Sequence, residues 1–348
     1  MGVEEKGAPD ISQRSSHVER SRIKPEKHRL IAHLGRTFAR RYDIDVLPSG
    51  QKGIWACSLD PKVLPEISKY IEGERATLDD LPPEAFVPKQ IFYDAEAAQN
   101  MEMEEINAIL HHEAGHAKYT NFKLMFEGQR GARDEGHLPT SFWITFEGIE
   151  DPRVNSLEGE ESPAIDKQIR STNATELQKR LTEQPLKNRP QMLQFAYDSF
   201  HRWLHGTGIP ELKDTEVGKI GDTAHPLLEQ YFQNTDPQAR KILQKQIWDL
   251  AKPLEKIDLE DEKKRQMARK MGKKGKSGQQ QGQGQGQSQA GGQPGEGQGI
   301  GSPSIPGGKG ERDSVQNKQN QNEGKGFLDR LKSGIFGRKK EASSEKPE

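Results

Sequence analysis

Cysteine is almost missing from this 348-residue chain: Cys57 stands alone, which excludes an intramolecular disulfide and any zinc site built from several cysteines. Apolar residues are scarce too, 31% against 30% charged, with aromatics at 6%. That supply is thin for a core running the whole length. No run approaches the roughly 18 apolar residues of a membrane-spanning helix. Neither sign of charge prevails, the net being −1, so no global field draws the chain to nucleic acid or anionic membranes. Residues 1–27 lack the apolar stretch of a secretion signal, and Lys6 stands where a myristoylation motif wants Ser or Thr. The expectation is a cytoplasmic protein.

What apolar material there is lies between residues 25 and 260, the range expected to fold as one domain. Residues 1–24 read as disordered. Pro25 opens a helix over 25–41, with Leu30, Ile31, Leu34 and Phe38 at helical spacing. Ile44, Val46 and Leu47, a turn over 49–53 and an apolar run over 54–59 predict a hairpin. A short helix over 63–70 and a strand over 91–93 follow. Helices are then predicted at 95–126, 141–151, 163–182, 190–205, 223–233 and 237–265. Ser162-Pro163 and Asp236-Pro237 each offer a capping side chain before a first-turn proline, and Gly206 stands where a helix ends. The expected fold is α+β, a small N-terminal sheet leading into a mainly helical body with disordered termini. Residues 261–325 read as a basic and then Gln/Gly-rich flexible linker, 326–341 as a short basic amphipathic segment able to meet a protein partner, and 342–348 as a disordered end.

The chemistry is concentrated in His111-His112-Glu113-Ala114-Gly115-His116. An H-E-x-x-H on a helix puts two imidazoles one turn apart on one face, where both reach a single zinc ion. The intervening Glu113 is set to take a proton from metal-bound water. Ile106, Ile109, Leu110, Ala114 and Ala117 form an apolar stripe with His112 and His116 along its edge, and His111 turns away from the pair. A polar helix edge whose histidines meet only solvent is the competing reading. Residues 117–122 contain neither Gly nor His, so the third ligand is sought in a later helix. Glu147-Gly148-Ile149-Glu150-Asp151 supplies it: Glu147 as ligand, Glu150 as the alternative, and Asp151 as a hydrogen-bond partner to a ligand imidazole. His137 is a remoter alternative. Pro152 biases Asp151 away from helical geometry. Tyr197 and His201, with His205, share one helix face at four-residue spacing and are candidates for a transition-state donor.

At these residues the chain resembles the gluzincins, thermolysin-like zinc peptidases with a downstream Glu. More narrowly, H-E-A-G-H-A-K-Y-T-N-F over 112–122 and I-E-D-P-R-V over 149–154 are similar to the peptidase-like part of CobT-type cobalt-chelatase subunits and nitric-oxide-reductase activation proteins. The D-x-S-x-S motif of the von Willebrand A domain in those proteins is missing here. The resemblance implies a zincin-like domain holding one zinc per chain and acting on a peptide or protein substrate. It equally implies a non-catalytic zinc module that scaffolds a partner.

Overall fold

A computed structural model describes residues 23–49 and 52–276, with side chains described through residue 267. The expected disorder over residues 1–24 (all but its last two residues), the Gln/Gly-rich part of the linker, the amphipathic segment over 326–341 and the end over 342–348 lie outside the described residues.

Proline at its start and apolar residues at helical spacing give α1 (Pro25–Phe38), which turns Ile31 and Ala32 inward. Three strands follow: β1 (Asp45–Ser49), β2 (Ala56–Ser58) and, after α2 (Leu64–Ile71), β3 (Gln90–Asp94). The expected hairpin does not form. β3 lies between the other two strands, parallel to β1 with Val46 opposite Ile91, and antiparallel to β2 with Cys57 opposite Ile91. Ile91 and Tyr93 are fully buried, so the most apolar strand takes the middle place. Asp94 ties the arrangement together, accepting the backbone N–H of Gly53 at 2.6 Å. It also accepts those of Glu96 and Ala97, at the start of α3 (Ala95–Asn100).

The single helix expected over 95–126 is three: α3, α4 (Met103–Tyr119) and α5 (Phe122–Asp134). Side chains at the two breaks compete for backbone groups that would continue the helix. Glu102 and Glu105 form a reciprocal cap at the start of α4, and Asn121 caps α5 at the N–H of Leu124. Next comes α6 (Pro139–Glu161), which continues through Pro152 and so runs past both ends of the expected 141–151. Local geometry would end it at Asp151, but α6 is enclosed by α4, α5 and four later helices, and that burial outweighs a local cost of about 3 kcal/mol. Those later helices are α7 (Pro163–Glu183), α8 (Gln191–His205), α9 (Glu216–Phe232) and α10 (Pro237–Ala251). Ser162 and Asp236 cap α7 and α10 as their spacing predicts, and Gly206, at φ +73°, closes α8. Pro253 opens a separate helix, α11 (Pro253–Lys276), where one continuous helix to 265 was expected. The expected linker from 261 therefore begins as helix.

Two apolar clusters result. One joins α1, the sheet and α4 through Ile31, Val46, Tyr93, Ile106 and Leu110. The other fills the helical body around Phe142, Ile149, Phe195, Tyr231 and Trp248. The architecture is α+β, mostly helical with one three-stranded sheet among the described residues. No helix among them is long and apolar enough to cross a membrane.

Candidate metal centre

The two clusters meet where α4 packs against α6. α4 is buried on most of its circumference, and Ile106, Leu110 and Ala114 face the sheet-bearing cluster. His112 and His116 face α6. The close approach depends on Gly115: a Cβ there would lie 2.5 Å from the Val154 Cγ1 and 2.9 Å from the Glu158 Cγ. On α6, Glu147, Asp151 and Asn155 recur every four residues and so share the face turned to α4.

The two imidazoles converge through their Nε2 atoms, which lie 3.2 Å apart. Asp151 Oδ1 stands 3.3 Å from His116 Nε2, and these three donors form the one group of potential metal ligands among the described residues. Each imidazole is held from behind. His112 Nδ1 meets Asn155 Oδ1 at 2.9 Å, and His116 Nδ1 meets Thr120 Oγ1 at 2.9 Å. Glu113 is buried beside them, its carboxyl pushed up to about 7. Burial is the main cause, opposed by His112, reinforced by Asp151 and opposed again by the Cys57 backbone N–H that it accepts.

Glu113 lines two spaces. One is a cleft of about 730 Å³ between α3, α4, α7 and the loop joining β1 to β2, reached by Trp55, Asn107, His112, Gln168 and Thr172. The other is a pit of about 20 Å³ shared with Cys57, His116, Glu147 and Asp151. The pit has room for one water molecule.

Several sequence expectations are redistributed. Asp151, expected to support a ligand, is the carboxylate that joins the histidines. Glu147, the expected ligand, lines the pit one turn earlier. Glu150, the alternative ligand, points away: it is fully buried against Arg153 at 2.5 and 2.8 Å, with the Tyr231 hydroxyl donating at 2.8 Å. Burial works to raise its pKa, but Arg153, Arg240 and Tyr231 overcome that and hold it down to about 2. His111 is buried on Glu158, 3.0 Å away, and stacks on Phe38, consistent with its turning from the pair. His137 packs on Trp248 near Glu255, outside the ligand group. Tyr197 and His201 line neither the cleft nor the pit. The Tyr197 hydroxyl accepts from Arg189 at 2.7 Å, and His201 Nδ1 sits on the Thr207 carbonyl.

Sequence reasoning missed Asn155 and Thr120, although both carry a local signal. Thr120 follows His116 by four residues, and Asn155 follows Asp151 by four. Tyr231 and Arg240 carry none.

Comparisons of the chain with protein-family models, with curated proteins and with solved structures find no match.

Proposed function

We propose that this chain is a zincin-like zinc hydrolase of peptide bonds, with His112, His116 and Asp151 as the metal ligands and Glu113 as the general base. The observation that carries the reading is the convergence of three electron-pair donors, His116 Nε2 lying 3.2 Å from His112 Nε2 and 3.3 Å from Asp151 Oδ1. Zinc–nitrogen bonds of about 2.0–2.1 Å at a tetrahedral angle call for donors roughly 3.3 Å apart. Two imidazoles and a carboxylate are also the donor types of a catalytic zinc site, which leaves a fourth position for water.

Bound zinc would supply Lewis acidity and lower the pKa of its water toward about 7. The protein supplies the remainder. Glu113 sits where cleft and pit meet, and its raised pKa suits a group that accepts a proton near neutrality and returns it to a leaving amine. Asn155 and Thr120 orient the imidazoles, and the cleft is of a size that takes an extended peptide segment. The zincin resemblance is supported by the packing of β2 on α4 and by the Cys57 backbone contact to Glu113. The ligand role falls to Asp151 instead of the Glu147 that the gluzincin pattern implies.

The test is Glu113→Gln, which keeps the size and helix propensity of the side chain. Zinc content and melting temperature should hold, and hydrolysis of unfolded casein or a peptide library should fall by about 10²-fold or more. A wild type that cleaves nothing, with Glu113→Gln fully complementing a deletion strain, would make the chain a scaffolding zinc module instead.

A further inference from the structure

Thr120 is the first residue beyond α4, and its place is fixed on three sides. Its backbone N–H donates to the His116 carbonyl at 3.2 Å, closing the last turn. The preceding carbonyl, that of Tyr119, accepts from Arg153 at 2.8 Å and from Arg240 at 3.3 Å, so two cations clamp the C-terminus of α4. The Thr120 hydroxyl donates to Glu150 Oε1 at 2.8 Å. The Glu150 carboxylate also receives the Arg153 guanidinium and the Tyr231 hydroxyl, and Arg240 Nη1 lies 3.7 Å from Oε1. An ionised carboxylate only accepts, so these neighbours act as donors.

The direction of each bond follows. A hydroxyl has one hydrogen, and that of Thr120 is committed to Glu150. Thr120 Oγ1 can therefore meet His116 Nδ1 only as an acceptor, and the imidazole proton sits on Nδ1. Nε2 is then a bare lone pair, aimed at His112 Nε2 and Asp151. Asn155 Oδ1 imposes the same form on His112 directly.

We propose that Thr120 is a positioning residue for the metal centre: it links the buried Glu150 carboxylate to His116 and fixes that imidazole with its proton on Nδ1 and its lone pair on Nε2. The proposal rests on the metal reading above and goes beyond it. Ligand geometry here depends on a chain of hydrogen bonds that starts 81 residues from Glu150, at Tyr231 of α9. Threonine at this position is needed for its hydroxyl, so serine replaces it and valine, of the same shape, does not.

The experiment uses the full chain in three forms: wild type, Thr120→Ser and Thr120→Val. Zinc affinity is measured by competition with a chromophoric chelator. The valine variant should bind about 10- to 100-fold more weakly, the range for losing a partner of a ligand histidine, and the serine variant within about 3-fold of wild type. Metal-free melting temperatures report whether the variants fold alike. A second reading needs no metal: long-range ¹H–¹⁵N correlation in the metal-free chain should show His116 protonated at Nδ1 in wild type and Thr120→Ser, and losing that preference in Thr120→Val. Protonation at Nε2 in wild type would overturn the proposal, as would zinc binding of measurable and equal affinity in wild type and Thr120→Val. A wild type that takes up no zinc, yet shows the Nδ1 proton and its loss in Thr120→Val, would sink the metal reading and leave the positioning role of Thr120 intact.

Discussion

Asp151 and Glu147 are one helical turn apart on α6, and both border the pit beside Glu113; Asp151 closes on His116 at 3.3 Å and completes the ligand group with His112. Asp151→Ala should therefore lower zinc affinity by about 10-fold or more, by the loss of a ligand, and Glu147→Ala should do so less. The reverse order in chelator competition would restore the gluzincin pattern. Glu150 belongs to a different account. Its carboxyl is held down to about 2, against an ordinary value of 4.5, so the stability it contributes is full above about pH 4.5 and is lost as pH falls toward 2. The contribution is on the order of 3 kcal/mol. Urea unfolding of metal-free wild type should thus weaken more steeply between pH 6 and pH 3 than that of Glu150→Gln, and parallel pH profiles would contradict this. At neutral pH the variant should be less stable by about 3–5 kcal/mol, because Arg153 is left buried without its partner. The convergence of His112 and His116, with Glu113 buried beside them, was legible in the sequence because the three share a single helix, where spacing alone sets direction. The choice among three carboxylates within one turn and a quarter of α6 was not, because it turns on the rotation of α6 against α4. Tyr231 and Arg240, distant in sequence, decide where Glu150 goes.

Among the elements, the helices were read best where a capping side chain precedes a proline, as at Ser162-Pro163 and Asp236-Pro237. The sheet was read worst. Strands β1 and β2 look like a hairpin because a Gly-containing turn separates them, but pairing is settled by β3, some thirty residues on, and its Asp94 contact to Gly53. Pro152 misled in the same way, since its effect on α6 depends on neighbours the sequence does not reveal. Gly115 is the clearest case of an element-scale demand. With Val154 and Glu158 so near, Gly115→Ala forces a shift where α4 meets α6, and the prediction is that the two helices move apart. Overpacking of that kind costs about 1–3 kcal/mol. The same displacement separates His112 from Asn155 and His116 from Asp151, so zinc affinity should fall together with stability. Unchanged urea unfolding and unchanged zinc affinity in Gly115→Ala would show that the helices tolerate the extra methyl.

At the scale of the molecule, the proposed metal ties α4, which belongs to the sheet-bearing cluster, to α6, which belongs to the helical body. A ligand that binds only the folded chain stabilises it by mass action, about 4 kcal/mol when present at 1,000 times its Kd. A chelator should accordingly lower the melting temperature of the wild-type chain and leave that of a His112→Ala, His116→Ala double variant unmoved. The α+β class follows from where the apolar residues lie in the sequence, and α11 continues past the expected boundary at residue 260 to Lys276. The measurement that bears most directly on the central claim is metal analysis of the purified chain and of the double variant. About one zinc per wild-type chain, with the variant nearly empty, is the expected result. Equal metal content in the two, or zinc in neither, would contradict it.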